Sequence, residues 1–118
     1  MRHQRKNNKM NMQRDHAALL LRNMATSVIL YEKVKTTAGR AKRVRPIVED
    51  LITKAKTKDT RNAIRQIGQV VMDPNASKKL LEVLKERYKS RTGGYTRIVK
   101  LGFRSGDAAE VVSIQLVE

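Results

Sequence analysis

The residue types that could catalyse a reaction are sparse in this sequence. The 118 residues include no cysteine, so thiol nucleophiles, thiolate metal sites and disulfides are excluded. The two histidines, His3 and His16, lie near a basic N-terminus without a carboxylate cluster beside them, which argues against a metal site. Glu49 and Asp50 are adjacent on a predicted helix, where consecutive side chains diverge by about 100°, so they make a poor acid–base pair.

Motifs for catalysis or nucleotide binding are also missing from the sequence. We find neither the phosphate-binding pattern G-x-x-x-x-G-K-[ST] nor the dinucleotide pattern G-x-G-x-x-G. The patterns H-E-x-x-H and G-x-S-x-G are absent as well. A nuclease would need convergent carboxylates to hold metal ions, and the eleven acidic residues are scattered. We therefore expect no enzymatic activity, no metal, no cofactor and no small-molecule substrate.

The chemistry that remains is that of cations. The chain has 26 Lys and Arg residues against 11 Asp and Glu, a net charge of +15. Residues 1–45 carry 12 basic and 2 acidic side chains, residues 46–90 carry 10 and 6, and residues 91–118 carry 4 and 3. Because almost nothing offsets the positive charge of the first third, the sequence predicts a polyanionic partner.

Residues 1–13 are predicted to form a basic tail with almost nothing to bury. Such a segment is expected to be disordered on its own. Its Arg and Lys side chains suit phosphates, and its Asn and Gln side chains suit bases and sugars. A merely solubilising tail is the alternative. Residues 14–118 are then predicted to form one domain.

Membrane insertion and secretion are not expected. The longest stretch without a charged residue, residues 23–31, has nine residues. A membrane-spanning helix needs roughly 20, and the start of the chain has no apolar segment typical of a secretory signal. An Arg-rich, acid-free start could also imitate an organelle transit peptide, but those are usually Ser-rich and the first serine is Ser27.

Apolar residues at helical spacing predict four helices between the tail and residue 89. Pro46 falls inside the second of them, where it removes a backbone donor and predicts a kink or a break. The helices at 59–89 could resemble a helix-turn-helix unit, although a packing helix with a solvated basic face is the favoured interpretation of the last one. The predicted capping residues are Asp15, Thr37, Asp59 or Thr60, and Asn75.

A two-residue period replaces the helical one after the loop at 91–94. Residues 95–103 and 111–117 alternate on either side of a turn at 105–107, which predicts an antiparallel hairpin. Residues 32–36 are a candidate third strand. Since one hairpin is rarely stable alone, helices must cover one face. The predicted class is α+β, with three or four helices packed on a small sheet.

Aromatic residues offer little surface for stacking bases, because the chain has only three Tyr and one Phe. Tyr95 and Phe103 share one face of a predicted strand, and we interpret both as core side chains. A basic chain with few aromatics suits recognition of the backbone and shape of folded RNA or duplex DNA. A DNA-binding regulator is disfavoured by a net charge of only +4 over residues 46–90.

Gly93 and Gly94 admit two interpretations. Glycine permits positive φ and lets a phosphate or another backbone approach closely. Alternatively, Gly93 ends the preceding helix near residues 89–91. The sequence does not decide between them.

Several segments together resemble a known family of ribosomal proteins. The most specific are residues 91–98 (RTGGYTRI) and 100–107 (KLGFRSGD), and the resemblance also includes residues 1–3, 22–24, 35–37 and 41–56. They are similar to the bacterial-type large-subunit ribosomal proteins of the L-seventeen family, and the resemblance runs along the whole chain.

The resemblance implies a non-enzymatic, cytoplasmic component of the large ribosomal subunit. Its partners would be large-subunit rRNA, near the exit side of the peptide tunnel, and neighbouring ribosomal proteins. A nucleoid protein or an RNA-processing enzyme is the competing possibility. The family resemblance also implies a set of RNA-facing residues, which includes the two glycines of the loop. They are Arg2, His3, Arg5, Lys6, Lys9, Arg14, His16, Arg22, Lys33, Lys35, Arg40, Lys42, Arg43, Arg91, Gly93, Gly94, Arg97 and Arg104.

Overall fold

Helices cover one face of a three-stranded antiparallel sheet in the computed structural model, which describes residues 12–118. The predicted α+β class, with a hairpin near the C-terminus, is confirmed. The helices are α1 (Arg14–Tyr31), α2 (Ala38–Thr57), α3 (Thr60–Gly68) and α4, which joins an α-helical Pro74–Lys79, a π-helical turn Leu80–Leu84 and an α-helical Lys85–Arg87. The strands are β1 (Lys33–Thr37), β2 (Thr96–Phe103) and β3 (Glu110–Leu116).

The sheet has the order β1-β3-β2, so β3 lies between its two partners. Ile114 of β3 pairs with Val34 of β1 and with Ile98 of β2, and all three side chains contribute to the core. The predicted first strand is displaced by one residue, because Glu32 ends α1 in a left-handed conformation at φ 62°. Side chains alternate between the two faces along each strand, and the face opposite the helices is not covered by a helix.

The core is built mainly from the apolar stripe of α2, which the helical period predicts. Val44, Val48, Leu51 and Ile52 are buried there against α1, α4 and the sheet. The helical period predicts a second apolar stripe in α4, and Leu80, Leu84 and Tyr88, the residue directly after the helix, are buried. The apolar side of α4 is therefore packed in the core and is not exposed as a recognition surface. The helical period also predicts that Ala18 of α1 and Ile64 of α3 face the core, but both are exposed, Ile64 at 54%.

Pro46 does not break its helix, so of the predicted kink or break the break is wrong. α2 continues from Ala38 to Thr57 through the proline. Pro46 is exposed, and water can therefore satisfy the carbonyl that the missing amide leaves without a partner.

Two predicted caps also require correction. Asp15 lies in the first turn of α1 rather than before it, because Gln13 occupies the capping position. Asp73, not Asn75, caps α4: its carboxylate accepts a hydrogen bond of 2.8 Å from the Asn75 amide, and Pro74 occupies the first helical turn. Thr37 and Asp59 occupy the capping positions of α2 and α3, as predicted.

Candidate nucleic-acid interface

The sheet presents a basic face opposite its helices, here called the outer face. Strand pairing aligns Lys33, Gln115 and Arg97 in one row across this face, and Lys35, Ser113 and Val99 in the next. The three cationic side chains are exposed. Among the described residues of these two rows none is acidic, so the face attracts anions.

The start of α2 extends this positive surface. Lys42 and Arg45 are exposed, and Arg40 and Arg43 are half-buried. The Arg43 guanidinium donates a hydrogen bond of 3.4 Å to the Gly39 carbonyl on the preceding turn. Because α2 begins directly after β1, these cations adjoin the end of the sheet.

A groove forms where β1 ends, between the start of α2 and the tip of the β2–β3 hairpin. It has a volume of about 530 Å³ and brings together Lys35, Arg40 and Arg104, which are far apart in the sequence. Its remaining lining consists of Thr36, Thr37, Leu101, Gly102, Phe103, Ser105 and Val111. The groove is therefore a place where three predicted RNA-binding cations share one concave surface.

Arg104 is held by an ion pair within the hairpin loop. Its Nε and one terminal nitrogen donate to the two carboxylate oxygens of Asp107 at 3.1 and 2.5 Å. The Arg104 guanidinium and the Ala109 amide lower the pKa of Asp107 to about 2, so the aspartate is charged at neutral pH. The positive charge of Arg104 is thus already balanced by a neighbour.

Phe103 corrects the interpretation of the two strand aromatics. Tyr95 is buried, as expected for a core side chain, but Phe103 is 78% exposed. A bulge at Leu101 separates them: Lys100 pairs with Val112, whereas Gly102 pairs with the next residue, Val111. An aromatic side chain is therefore presented at the hairpin tip.

The glycine loop is exposed beside the start of β2. Gly94 adopts a positive φ of 64°, and the Arg91 guanidinium donates a hydrogen bond of 3.2 Å to its carbonyl. Helix α4 ends at Arg87, so Gly93 does not cap it and that interpretation is wrong. A Cβ built on Gly93 or Gly94 would meet no described atom within 4 Å, so both are open to a ligand.

Two side chains of α2 hold this loop in place through hydrogen bonds, and the sequence-based predictions missed both roles. Lys56 donates a hydrogen bond to the Arg91 carbonyl and another, of 2.8 Å, to the Tyr95 hydroxyl. Glu49 accepts hydrogen bonds from the amides of Tyr95, just before β2, and Thr96, its first residue. Glu49 and Lys56 are seven residues apart, two helical turns, and so lie on one side of α2. That spacing was the available signal.

Arg22, one of the predicted RNA-binding residues, also makes a hydrogen bond inside the protein. Its Nε donates a hydrogen bond of 3.1 Å to the Val70 carbonyl, in the segment between α3 and α4. The Thr26 hydroxyl accepts a hydrogen bond of 3.2 Å from the Met72 amide in the same segment. Arg22 therefore ties α1 to this segment.

The remaining predicted residues fall at the N-terminus. Arg14 and His16 are exposed at the start of α1. Arg2, His3, Arg5, Lys6 and Lys9, in the predicted tail, lie outside the described residues.

Glu32 forms an ion-pair cluster that the sequence did not reveal. Its carboxylate lies 2.9 Å from both the Lys79 ammonium and the Arg87 guanidinium of α4. Hydrogen bonds from Arg87 and then Lys79 lower the pKa of Glu32. Lys79 and Arg87 therefore hold α4 against the end of α1.

Potential metal ligands are dispersed over the described part of the chain. Within residues 12–118, no group of three or more His, Cys, Asp or Glu side chains is arranged to hold a metal ion. Over the same residues, none of the helices combines the length and apolarity required to cross a membrane.

Comparison with known proteins identifies clear relatives. The profile of the family described as Ribosomal protein L17 matches residues 20–117. The Large ribosomal subunit protein bL17 of Rickettsia bellii (strain OSU 85-389) is 47% identical over 118 residues, which is 100% of this chain and 82% of the relative. The protein of the same name from Desulforudis audaxviator (strain MP104C) is 49% identical over 109 residues, 92% of this chain and 96% of the relative. That from Solibacter usitatus (strain Ellin6076) is 55% identical over 98 residues, 83% and 65% respectively.

Proposed function

Because the chain belongs to the ribosomal protein L17 family, we propose that it is a structural constituent of the large ribosomal subunit that binds large-subunit rRNA. The family resemblance expected from the sequence is confirmed. As a ribosomal protein the chain is structural and non-enzymatic, and it works in the ribosome, a ribonucleoprotein of translation. Its binding to rRNA would support subunit assembly.

The outer face carries the proposal of RNA binding. Lys33, Lys35 and Arg97 project from two strands of a rigid sheet, and no acidic residue lies between them in the two rows that the pairing defines. Each Lys or Arg that neutralises a phosphate releases condensed counterions. A fixed array of cations suits the regular phosphates of folded RNA, which proteins recognise largely by shape and backbone.

Neighbouring large-subunit proteins are the second proposed class of partner. Several large apolar side chains outside the groove are exposed, and a protein neighbour would shield them from water. Aromatic and methionine side chains are enriched at protein interfaces. The exposed residues in question are Leu19, Tyr31, Ile64, Met72 and Val83.

Affinity for purified large-subunit rRNA, measured over a range of salt concentrations, tests the RNA-binding proposal. The plot of log K against log salt has a negative slope, and its magnitude should decrease by about 0.7–0.9 for each phosphate that the protein no longer neutralises. Replacing Lys33, Lys35 and Arg97 together by Gln should therefore reduce it by about two or more.

A matched variant removes the same charge elsewhere. Lys58, Arg61 and Lys78 lie on the helical side, away from the outer face, and replacing them by Gln should change the slope less. Equal effects of the two triple variants would mean that only overall charge matters. Absence of the protein from purified large subunits would contradict the ribosomal role itself.

A further inference from the structure

The β-bulge in β2 changes the side of the sheet that Phe103 occupies. Because Leu101 is an extra residue, Gly102 pairs with Val111, and Phe103 pairs with Glu110. Phe103 consequently has the parity of Val112 and Ile114, whose side chains point toward the helices. Gly102 permits this turn of the backbone through its φ of 129°.

Phe103 nevertheless lies beyond the core. The last residue of β1, Thr37, pairs with Val111, and α2 begins with the following residue. The pair formed by Phe103 and Glu110 is thus one step past the last residue pair that β1 completes. The ring projects beyond the packed helices and forms one wall of the groove, 78% exposed.

The groove has the chemistry of a nucleotide site. Its apolar wall consists of Phe103 and Leu101, which is 52% exposed. The other wall provides Arg40 of α2, whereas Lys35 enters the lining from the outer face, and among the described lining residues none is acidic. The volume of about 530 Å³ lies within the roughly 300–1,000 Å³ typical of small-ligand sites.

We propose that this groove receives a single unpaired rRNA nucleotide, with its base stacked on Phe103 and its phosphate bound by Arg40. The inference rests on the proposed RNA-binding function and adds a mode of recognition to it. Unpaired bases in RNA loops and bulges are commonly bound by stacking on aromatic side chains. The positive wall favours a nucleotide over an apolar segment of a neighbouring protein, which would leave the Arg40 guanidinium without a counterion.

The absence of tryptophan from the chain allows a direct test. In the Phe103→Trp variant the new indole is the only one in the protein, and a stacked base quenches its fluorescence. Addition of purified large-subunit rRNA should therefore quench it strongly. Tyr31→Trp is the matched control, because Tyr31 is an aromatic residue that is 72% exposed and lies outside the groove lining. Its fluorescence should change much less.

Affinity measurements provide the second readout. Phe103→Leu keeps an apolar side chain but removes the ring, and should weaken rRNA binding by about tenfold, as removal of one stacked aromatic does. The salt slope should not change, because Arg40 still neutralises the same phosphate. Arg40→Gln should reduce that slope by about 0.7–0.9.

The outcomes separate this inference from the proposed function. If the unaltered protein binds large-subunit rRNA but the Phe103→Trp fluorescence is unaffected and Phe103→Leu binds normally, the nucleotide site is wrong and the RNA-binding function stands. Quenching that appears only when other ribosomal proteins are added would assign the groove to a protein neighbour instead. If the unaltered protein does not bind the rRNA, the proposed function itself fails.

Discussion

Glu49 in α2 accepts two hydrogen bonds from Thr96 at the start of β2, one from the backbone amide at 3.0 Å and one from the hydroxyl at 2.8 Å. Its second oxygen accepts a hydrogen bond of 3.2 Å from the Tyr95 amide. One carboxylate thus joins the main helix to the strand that follows the glycine loop. In this structure Glu49 anchors the start of β2, the strand that carries Arg97.

Replacing Glu49 by Gln should destabilise the protein by about 1–3 kcal/mol, because hydrogen bonds to a charged acceptor are lost and the Tyr95 amide faces a donor. Urea denaturation measures this change. Asp50→Asn is the matched control: its ion pair with Lys54 is exposed on the same helix, and its removal should cost less than about 0.5 kcal/mol. Equal losses of stability in the two variants would show that Glu49 has no special structural role.

The Glu32 cluster predicts a dependence of stability on pH. The pKa of Glu32 is lowered from its ordinary 4.5 in the folded protein. Its contribution is therefore fully present above pH 4.5 and is lost as the pH falls through the lower folded value. At neutral pH Glu32→Gln should destabilise the protein by about 1 kcal/mol, since the pairs are partly exposed.

The difference in unfolding free energy between Glu32→Gln and the unaltered protein should shrink as the solution is acidified below the ordinary pKa of a glutamate. Urea titrations at a series of pH values give that difference directly. A difference that stays constant from neutral to strongly acidic solution would mean that the Glu32 carboxylate does not carry the effect.

The Arg104–Asp107 pair predicts a gain of RNA affinity on substitution. In Asp107→Asn the amide oxygen can still accept from the Ala109 amide, but the charge that balances Arg104 is gone. If Arg104 lies near phosphates, rRNA affinity should rise and the salt slope should steepen by about 0.7–0.9. Weaker binding by Asp107→Asn would instead show that the ion pair holds the loop in its binding conformation.

Gly94 and Gly93 should respond differently to substitution by alanine. Gly94→Ala places a side chain at a φ of 64° and should cost about 1 kcal/mol of stability, whereas Gly93 has no positive φ and Gly93→Ala should be nearly neutral. Gly94→Asn should be milder than Gly94→Ala, because Asn tolerates the left-handed region. Thermal denaturation distinguishes the three.

Binding assays test whether the glycine loop meets RNA. If it does, Gly94→Ala should weaken rRNA binding more than folding, and Arg91→Ala and Arg97→Ala should weaken binding with little change in melting temperature. Unchanged affinity in all three would remove the loop from the interface.

The parts of the fold that the sequence predicts are those with a local cause. The stripe that includes Val44, Val48 and Leu51 is visible because the helical period repeats within one segment. The position of Phe103 is not, because it depends on an extra residue in the pairing with β3. In the sequence the two-residue period continues through the bulge. In the structure the residues after the bulge lie on the face opposite to the one that this period predicts.

The candidate site was predictable in its charges but not in its internal partners. Lys33, Lys35 and Arg97 could be expected on the surface of short strands in a basic chain. Arg22 and Arg104 could not be separated from them, because the Val70 carbonyl and the Asp107 carboxylate meet them only in the folded protein. An arginine engaged by a carbonyl or a carboxylate looks the same in sequence as one open to RNA.

The position of β3 between β1 and β2 determines when the outer face can exist during synthesis. β3 is the last described element along the chain, yet both other strands pair only with it. During translation all four helices leave the ribosome before β3, but β1 and β2 have no strand to pair with until β3 has also emerged. The cations of the outer face therefore become a fixed array only after β3 has emerged and paired with β1 and β2; before that, the chain offers positive charge without a fixed surface.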